Sequence, residues 1–200
     1  MNPTRELPPI YAHKSTFDLT HNTRLAILLN VLGAGLLFFF AWVFLEITLS
    51  LRPEFLDHIN LEISTIIDLL KLVGILLAVT VVMVVVHEGI HGFFFWLITH
   101  ERPSFGYRAY YAFACAPGWY IPRNPYLVVS LSPFILISIV GVGLLAILPY
   151  NLIPAMLLLV AMNAAGAIGD LMVSIWLFTK PALSLIKDYG DKISLYMPGD

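Results

Sequence analysis

The chain has 200 residues, of which 59% are hydrophobic and 12% charged, with a net charge of −2. A soluble domain carries about twice that charged fraction, so this composition, at a mean hydropathy of +0.85, describes a membrane protein of one domain, residues 1–200. The near-balanced charge excludes a nucleic-acid footprint, and the single cysteine, Cys115, excludes an intrachain disulfide and a multi-cysteine metal site. Cys115 itself reads as a small buried apolar residue.

Met1 to Thr23 is polar and contains proline, with no cleavable signal peptide evident. An apolar segment then runs from about Leu25 to Leu45, long enough to cross a bilayer, which takes about 20 residues. The loop Leu51 to Asp68 mixes apolar and acidic residues. It reads either as a short amphipathic helix on the outer surface or as a plain connector. A second apolar segment, about Leu69 to Ile98, exceeds one crossing, so tilting or a kink near Gly89 and Gly92 is expected.

The next loop alternates. Phe105, Tyr107, Ala109, Tyr111 and Phe113 are interleaved with Gly106, Arg108, Tyr110 and Ala112, and Pro117-Gly118 follows. That pattern predicts an irregular β-hairpin, which is compatible with an aromatic belt at the membrane interface. The third and fourth apolar segments run from about Leu127 to Leu148 and from about Ile153 to Phe178. In the tail, Lys192 to Tyr196 alternates again and reads as a strand added to the hairpin or as a disordered end. The expected fold is therefore an all-α membrane protein of four spans, with a small hairpin between the second and third. Nine of the eleven basic residues fall on one side of this four-span arrangement. The positive-inside rule then makes both termini and the hairpin cytoplasmic, in the cell membrane.

Inside the second span stands His87-Glu88-Gly89-Ile90-His91, an HExxH pattern. Residues four apart on a helix differ by about 40° around its axis, so the two imidazoles reach one metal ion. Glu88 lies about 100° from His87 and about 60° from His91, close enough to reach a water on that metal. Three ionisable groups in hydrocarbon are costly and call for a functional explanation. Asp170 is the only acid of the fourth span and the expected third ligand. It lies 17 residues from Ile153, as His87 lies 17 residues from Leu70. At 1.5 Å per residue both groups come to about the same depth, about 25 Å along their helices.

On a continuous fourth helix, Asn163, Gly166, Ala167 and Asp170 form one stripe of polar and small residues, suited to close helix packing. The plain alternative gives Asp170 a packing role, bonded to another buried donor. His100, Glu101, His13, His21 and His58 fit the third position less well by spacing or by location in loops. Two histidines and one carboxylate leave a fourth position open, the arrangement of catalytic rather than structural zinc. Glu88 is then the base that takes a proton from water and delivers it to the leaving amine. Asn163 serves either as a substrate or oxyanion contact or as an interhelical hydrogen bond.

These residues give the chain a resemblance to the putative zincin peptidases of the membrane, a family first described as a domain of unknown function and distantly similar to the site-2 intramembrane metalloproteases. The matching pieces are His87 to Gly92, Tyr110-Tyr111-Ala112, Ser132-Pro133, Asn163 to Asp170 with Gly169, and Asp188-Tyr189-Gly190-Asp191. The resemblance implies Zn2+ held by His87, His91 and Asp170, with Glu88 as catalytic base. It departs from the site-2 proteases where Asp170 is followed by Leu171 and no proline lies between Asn163 and Asp170. A peptidase of this kind must unwind a substrate helix before attack. The hairpin, with Tyr107 and Tyr111, is expected to hold the unwound segment as an added strand. The expected partners are thus a membrane protein or peptide substrate and the lipid bilayer. The other readings are a metal-binding scaffold that grips without cutting and a divalent-ion transporter. Transport favours polar positions in series along the spans, whereas this chain has one cluster.

Overall fold

A computed structural model of the chain describes all residues except 19–22, 60–61, 109–110, 191 and 200, with the side chains of 23–26, 108 and 111 also outside the description. Five helices carry most of the described residues: α1 (Thr23–Leu51), α2 (Ile66–Thr99), α3 (Arg123–Ile147), α4 (Ile153–Gly166) and α5 (Ile168–Phe178). Four stretches are long and apolar enough to cross a membrane: Ile27–Leu51, Ile66–Thr99, Arg123–Ile147 and Tyr150–Phe178. They fit a multi-pass membrane protein. Only 6% of the most apolar window of the first two stretches is buried within the protein, against 39% for the last two. Exposed Phe38, Trp42, Leu77 and Val85 are far more apolar surface than a water-soluble monomer presents, and they suit lipid.

The fold is mostly helical but not all helical. Strands β1 (Tyr11–Asp18), β4 (Ile121–Pro122), β5 (Leu185–Asp188) and β6 (Lys192–Pro198) form one antiparallel sheet in the order β1-β6-β5-β4. Strands β2 (Ser104–Arg108) and β3 (Tyr111–Cys115) form a separate antiparallel pair. The alternating tail is therefore a strand, yet it joins β5 and β1 rather than the β2–β3 pair. Its pairing with β1 runs from Tyr11↔Pro198 to Asp18↔Lys192, a closure of the chain ends with no local sequence signal. The polar N-terminal segment owes its order to that partner.

The fourth span is also not one continuous helix. It breaks at Ala167 (φ −68°, ψ 7°), between Gly166 and Gly169, two poor helix formers. The Ala167 N–H still closes on the Asn163 carbonyl at 2.9 Å. The break puts Asp170 in the first turn of α5, where an acid suits the exposed N–H groups of a helix start.

The chain packs as two compact units. One comprises Met1–Val31, Glu88–Pro133 and Ile168–Asp200. Its core gathers Phe95, Ile121, Tyr126, Val129, Leu177, Ile186 and Leu195, all buried. The other unit comprises Leu32–His87 and Phe134–Ala167. Its core holds Phe44, Phe55, Leu145, Ile153 and Val160. Phe55 comes from a short 3-10 turn, Pro53–His58, and is fully buried. The first loop is thus anchored by its own aromatic residue. Arg52 closes the same unit, donating to the Leu148 carbonyl at 2.8 Å and lying over the Tyr150 ring.

Candidate metal centre

Helix α2 runs without interruption from Ile66 to Thr99, through Gly89 and Gly92. His87 and His91 therefore stand one turn apart on one helix face, and both are buried, while Val85 and Val86 beside them are exposed. Glu88 is half-buried. The carboxylate of Asp170 lies 3.4 Å from Nε2 of His91. One potential ligand atom from each of His87, His91 and Asp170 lies within 4.8 Å of the others, a spacing that a single ion can bridge.

The hydrogen bonds around the imidazoles test whether these residues suit zinc. A histidine binds metal through a deprotonated ring nitrogen, and the other nitrogen fixes the tautomer by donating its hydrogen. Nδ1 of His91 lies 3.0 Å from the main-chain oxygen of Val129. A carbonyl only accepts, so Nδ1 carries the hydrogen and Nε2, the atom facing Asp170, is the basic one. Nδ1 of His87 lies 2.9 Å from Oδ1 of Asn163, and the same reasoning makes Nε2 the basic nitrogen of that ring. Two imidazoles with their Nδ1 hydrogens given to oxygen, together with a carboxylate, are the donor set of a three-ligand zinc site.

Asp170 is held from behind. Ser130 Oγ donates to the Asp170 main-chain oxygen at 3.1 Å, and Ser174 Oγ donates to Ser130 Oγ at 3.1 Å. Both serines are buried. This chain of hydroxyls ties the first turn of α5 to α3, and no pattern in the sequence announces it.

The remaining sequence candidates separate clearly. Asn163 is fully buried, and its Oδ1 lies against Nδ1 of His87. Tyr107 is 85% exposed on β2, and Tyr111 begins β3 with its side chain outside the described residues. Phe105, on the same strand face as Tyr107, packs over Gly92, where a Cβ would overlap its ring. The β2–β3 pair is thereby seated beside the residue that follows His91. Glu101 pairs with Arg5 and accepts from Trp119 Nε1 at 3.1 Å. His13 contacts Thr16 and Tyr196, and His58 stacks on Tyr150. His100 lies past the end of α2 with φ 55°, and His21 is outside the described residues.

Asp188, which the sequence marks only as part of the matching piece Asp188-Tyr189-Gly190-Asp191, is buried on β5. It accepts from Tyr126 Oη at 2.7 Å and from the Gly190 N–H at 2.7 Å. Its signal lay in Asp188-Tyr189-Gly190, a turn sequence in which a short carboxylate bonds the backbone two residues on.

A family model described as putative zincin peptidase matches residues 80–185 of the chain. No curated protein and no solved structure matches it.

Proposed function

Because the chain belongs to that putative zincin peptidase family, we propose that it is a zinc-dependent, membrane-embedded peptidase that hydrolyses peptide bonds of membrane or membrane-proximal proteins, in the manner of the site-2 metalloproteases. The observation that carries this reading is the convergence of His87, His91 and Asp170, with the tautomers of both imidazoles set by oxygen acceptors.

His87 and His91 would hold the metal through Nε2, and Asp170 through its carboxylate. When bound there, zinc supplies Lewis acidity, which lowers the pKa of a water and polarises a peptide carbonyl. Glu88, one residue along α2 from His87, accepts the proton of the attacking water on its carboxylate and returns it to the leaving amine. Asn163 keeps His87 in its tautomer. The outer edge of β2, with Tyr107 and the neighbouring Tyr111, holds an unwound substrate segment by strand addition. The distribution of basic residues supports a topology with both termini and the β2–β3 pair on the cytoplasmic side of the cell membrane, in which the chain acts as one integral-membrane domain.

The test is Glu88→Gln in protein reconstituted into vesicles, with a dual-labelled single-span peptide as substrate. The variant is expected to retain its zinc and to lose cleavage, since the amide cannot take the proton. Cleavage at the parental rate would remove the peptidase reading and leave a metal-binding scaffold.

A further inference from the structure

We propose that Pro133 is a positioning residue for His91: because proline has no N–H, the Val129 carbonyl is left to accept the Nδ1 hydrogen of His91, which turns Nε2 toward the metal. The inference rests on the zinc reading above and adds to it a device in α3 that the motif does not contain.

Helix α3 runs from Arg123 to Ile147 with Pro133 in its interior. In a regular helix each N–H donates to the carbonyl four residues earlier, so the donor for Val129 would come from residue 133. Proline has no such hydrogen, and its ring pushes the facing carbonyl away from the helix. Val129 is buried, with 1% of its surface exposed, and a buried carbonyl without a donor is costly. In a membrane span, neighbouring helices and serine side chains take over such a group.

Here both do. Ser132 Oγ donates to the Val129 oxygen at 2.8 Å, and His91 Nδ1 donates to it at 3.0 Å. A carbonyl oxygen has two lone pairs, so these donors fill it. An N–H at position 133 would make three donors for two lone pairs, and the helical N–H is the one the backbone holds in place. His91 would then lose the acceptor that fixes its tautomer. Ser132-Pro133 thus acts as a unit, in which the proline exposes an acceptor and the serine completes its hydrogen bonding without excluding the histidine. A proline that merely bent the helix would have no such consequence at His91.

The two roles are separated by Pro133→Ala in the full chain. Three quantities are read: the melting temperature of the metal-free protein, zinc affinity by chelator competition, and the visible absorption of the Co2+-loaded protein. Removing an interior proline favours the helix, so the melting temperature is expected to hold or rise. Zinc affinity is expected to fall about 10–100-fold, the usual cost of losing a partner behind a ligand, with a changed Co2+ spectrum. Ser132→Ala in the Pro133→Ala background returns the donors to two and is expected to restore much of the affinity.

Unchanged zinc affinity and an unchanged Co2+ spectrum in a folded Pro133→Ala protein would overturn the inference. If the alanine chain does not fold, Pro133→Gly supplies the same N–H and the same expectation. A parent protein whose zinc binding is indifferent to His91→Ala would instead sink the underlying zinc reading, so the two failures are distinguishable.

Discussion

Oδ1 of Asn163 lies 2.9 Å from Nδ1 of His87, with the asparagine fully buried. The bond fixes which imidazole nitrogen is basic before any metal arrives. Asn163→Ala leaves a buried ring N–H without its acceptor, at a cost of about 1–3 kcal/mol. Zinc affinity is expected to fall about 10–100-fold, as measured by chelator competition. Asn163→Asp keeps an oxygen acceptor and should stay much closer to the parent. Equal losses in both variants would count against the positioning role.

The legible parts of this molecule are those where the bilayer narrows the choices. Spans are visible because a crossing takes about 20 apolar residues, and His87, His91 and Asp170 stand out because ionisable groups are rare among them. Asn163 is visible as a polar amide in an apolar span. The Val129 oxygen was not legible, since main-chain groups leave no mark in a sequence, although Pro133 four residues later marks where one is displaced. The sheet was hidden for a different reason. β4 has two residues and β5 four, too short for periodicity, and β1 is ordered by a partner about 180 residues away. The break at Ala167 interrupts the stripe drawn on a continuous fourth helix, yet Asp170 still reaches His91.

Among His87, His91 and Asp170, whose potential ligand atoms converge, Asp170 alone offers a carboxylate. Asp170→Asn preserves its size but replaces a carboxylate oxygen by a weaker neutral donor. Bound zinc in the purified variant, measured by mass spectrometry of the metal, is expected to drop well below one ion per chain, with the helical circular dichroism retained. Full zinc occupancy in Asp170→Asn would show that the third ligand is another residue.

Gly190 sits in the β5–β6 turn at φ 88°, and a Cβ there would overlap the Phe113 ring. Only glycine combines that backbone with that neighbour. Gly190→Ala is expected to destabilise the protein by about 1–3 kcal/mol from the backbone conformation, plus the cost of displacing the ring. Phe113→Leu in the same background should relieve the second effect and not the first. Thermal unfolding of the single and double variants reads the difference, and a Gly190→Ala protein as stable as the parent would refute the account.

Burial holds the Asp188 carboxyl up at about 6 against an ordinary value of 3.8, even though its hydrogen bonds from Tyr126 and Gly190 favour the charged form. The folded protein therefore binds this proton more tightly than the unfolded chain does. Stability from this group is complete below pH 3.8, where both states are protonated, and is lost as the pH rises to about 6. The gap between the two values sets the full loss at about 3 kcal/mol. Asp188→Asn carries no titrating proton, so its unfolding free energy should not show that decline, read as the difference between parent and variant across the same pH range. Tyr126→Phe removes a donor to the carboxylate and should move the upper end of the window to higher pH. A parent and an Asp188→Asn variant with parallel pH profiles would mean that Asp188 does not titrate in this range.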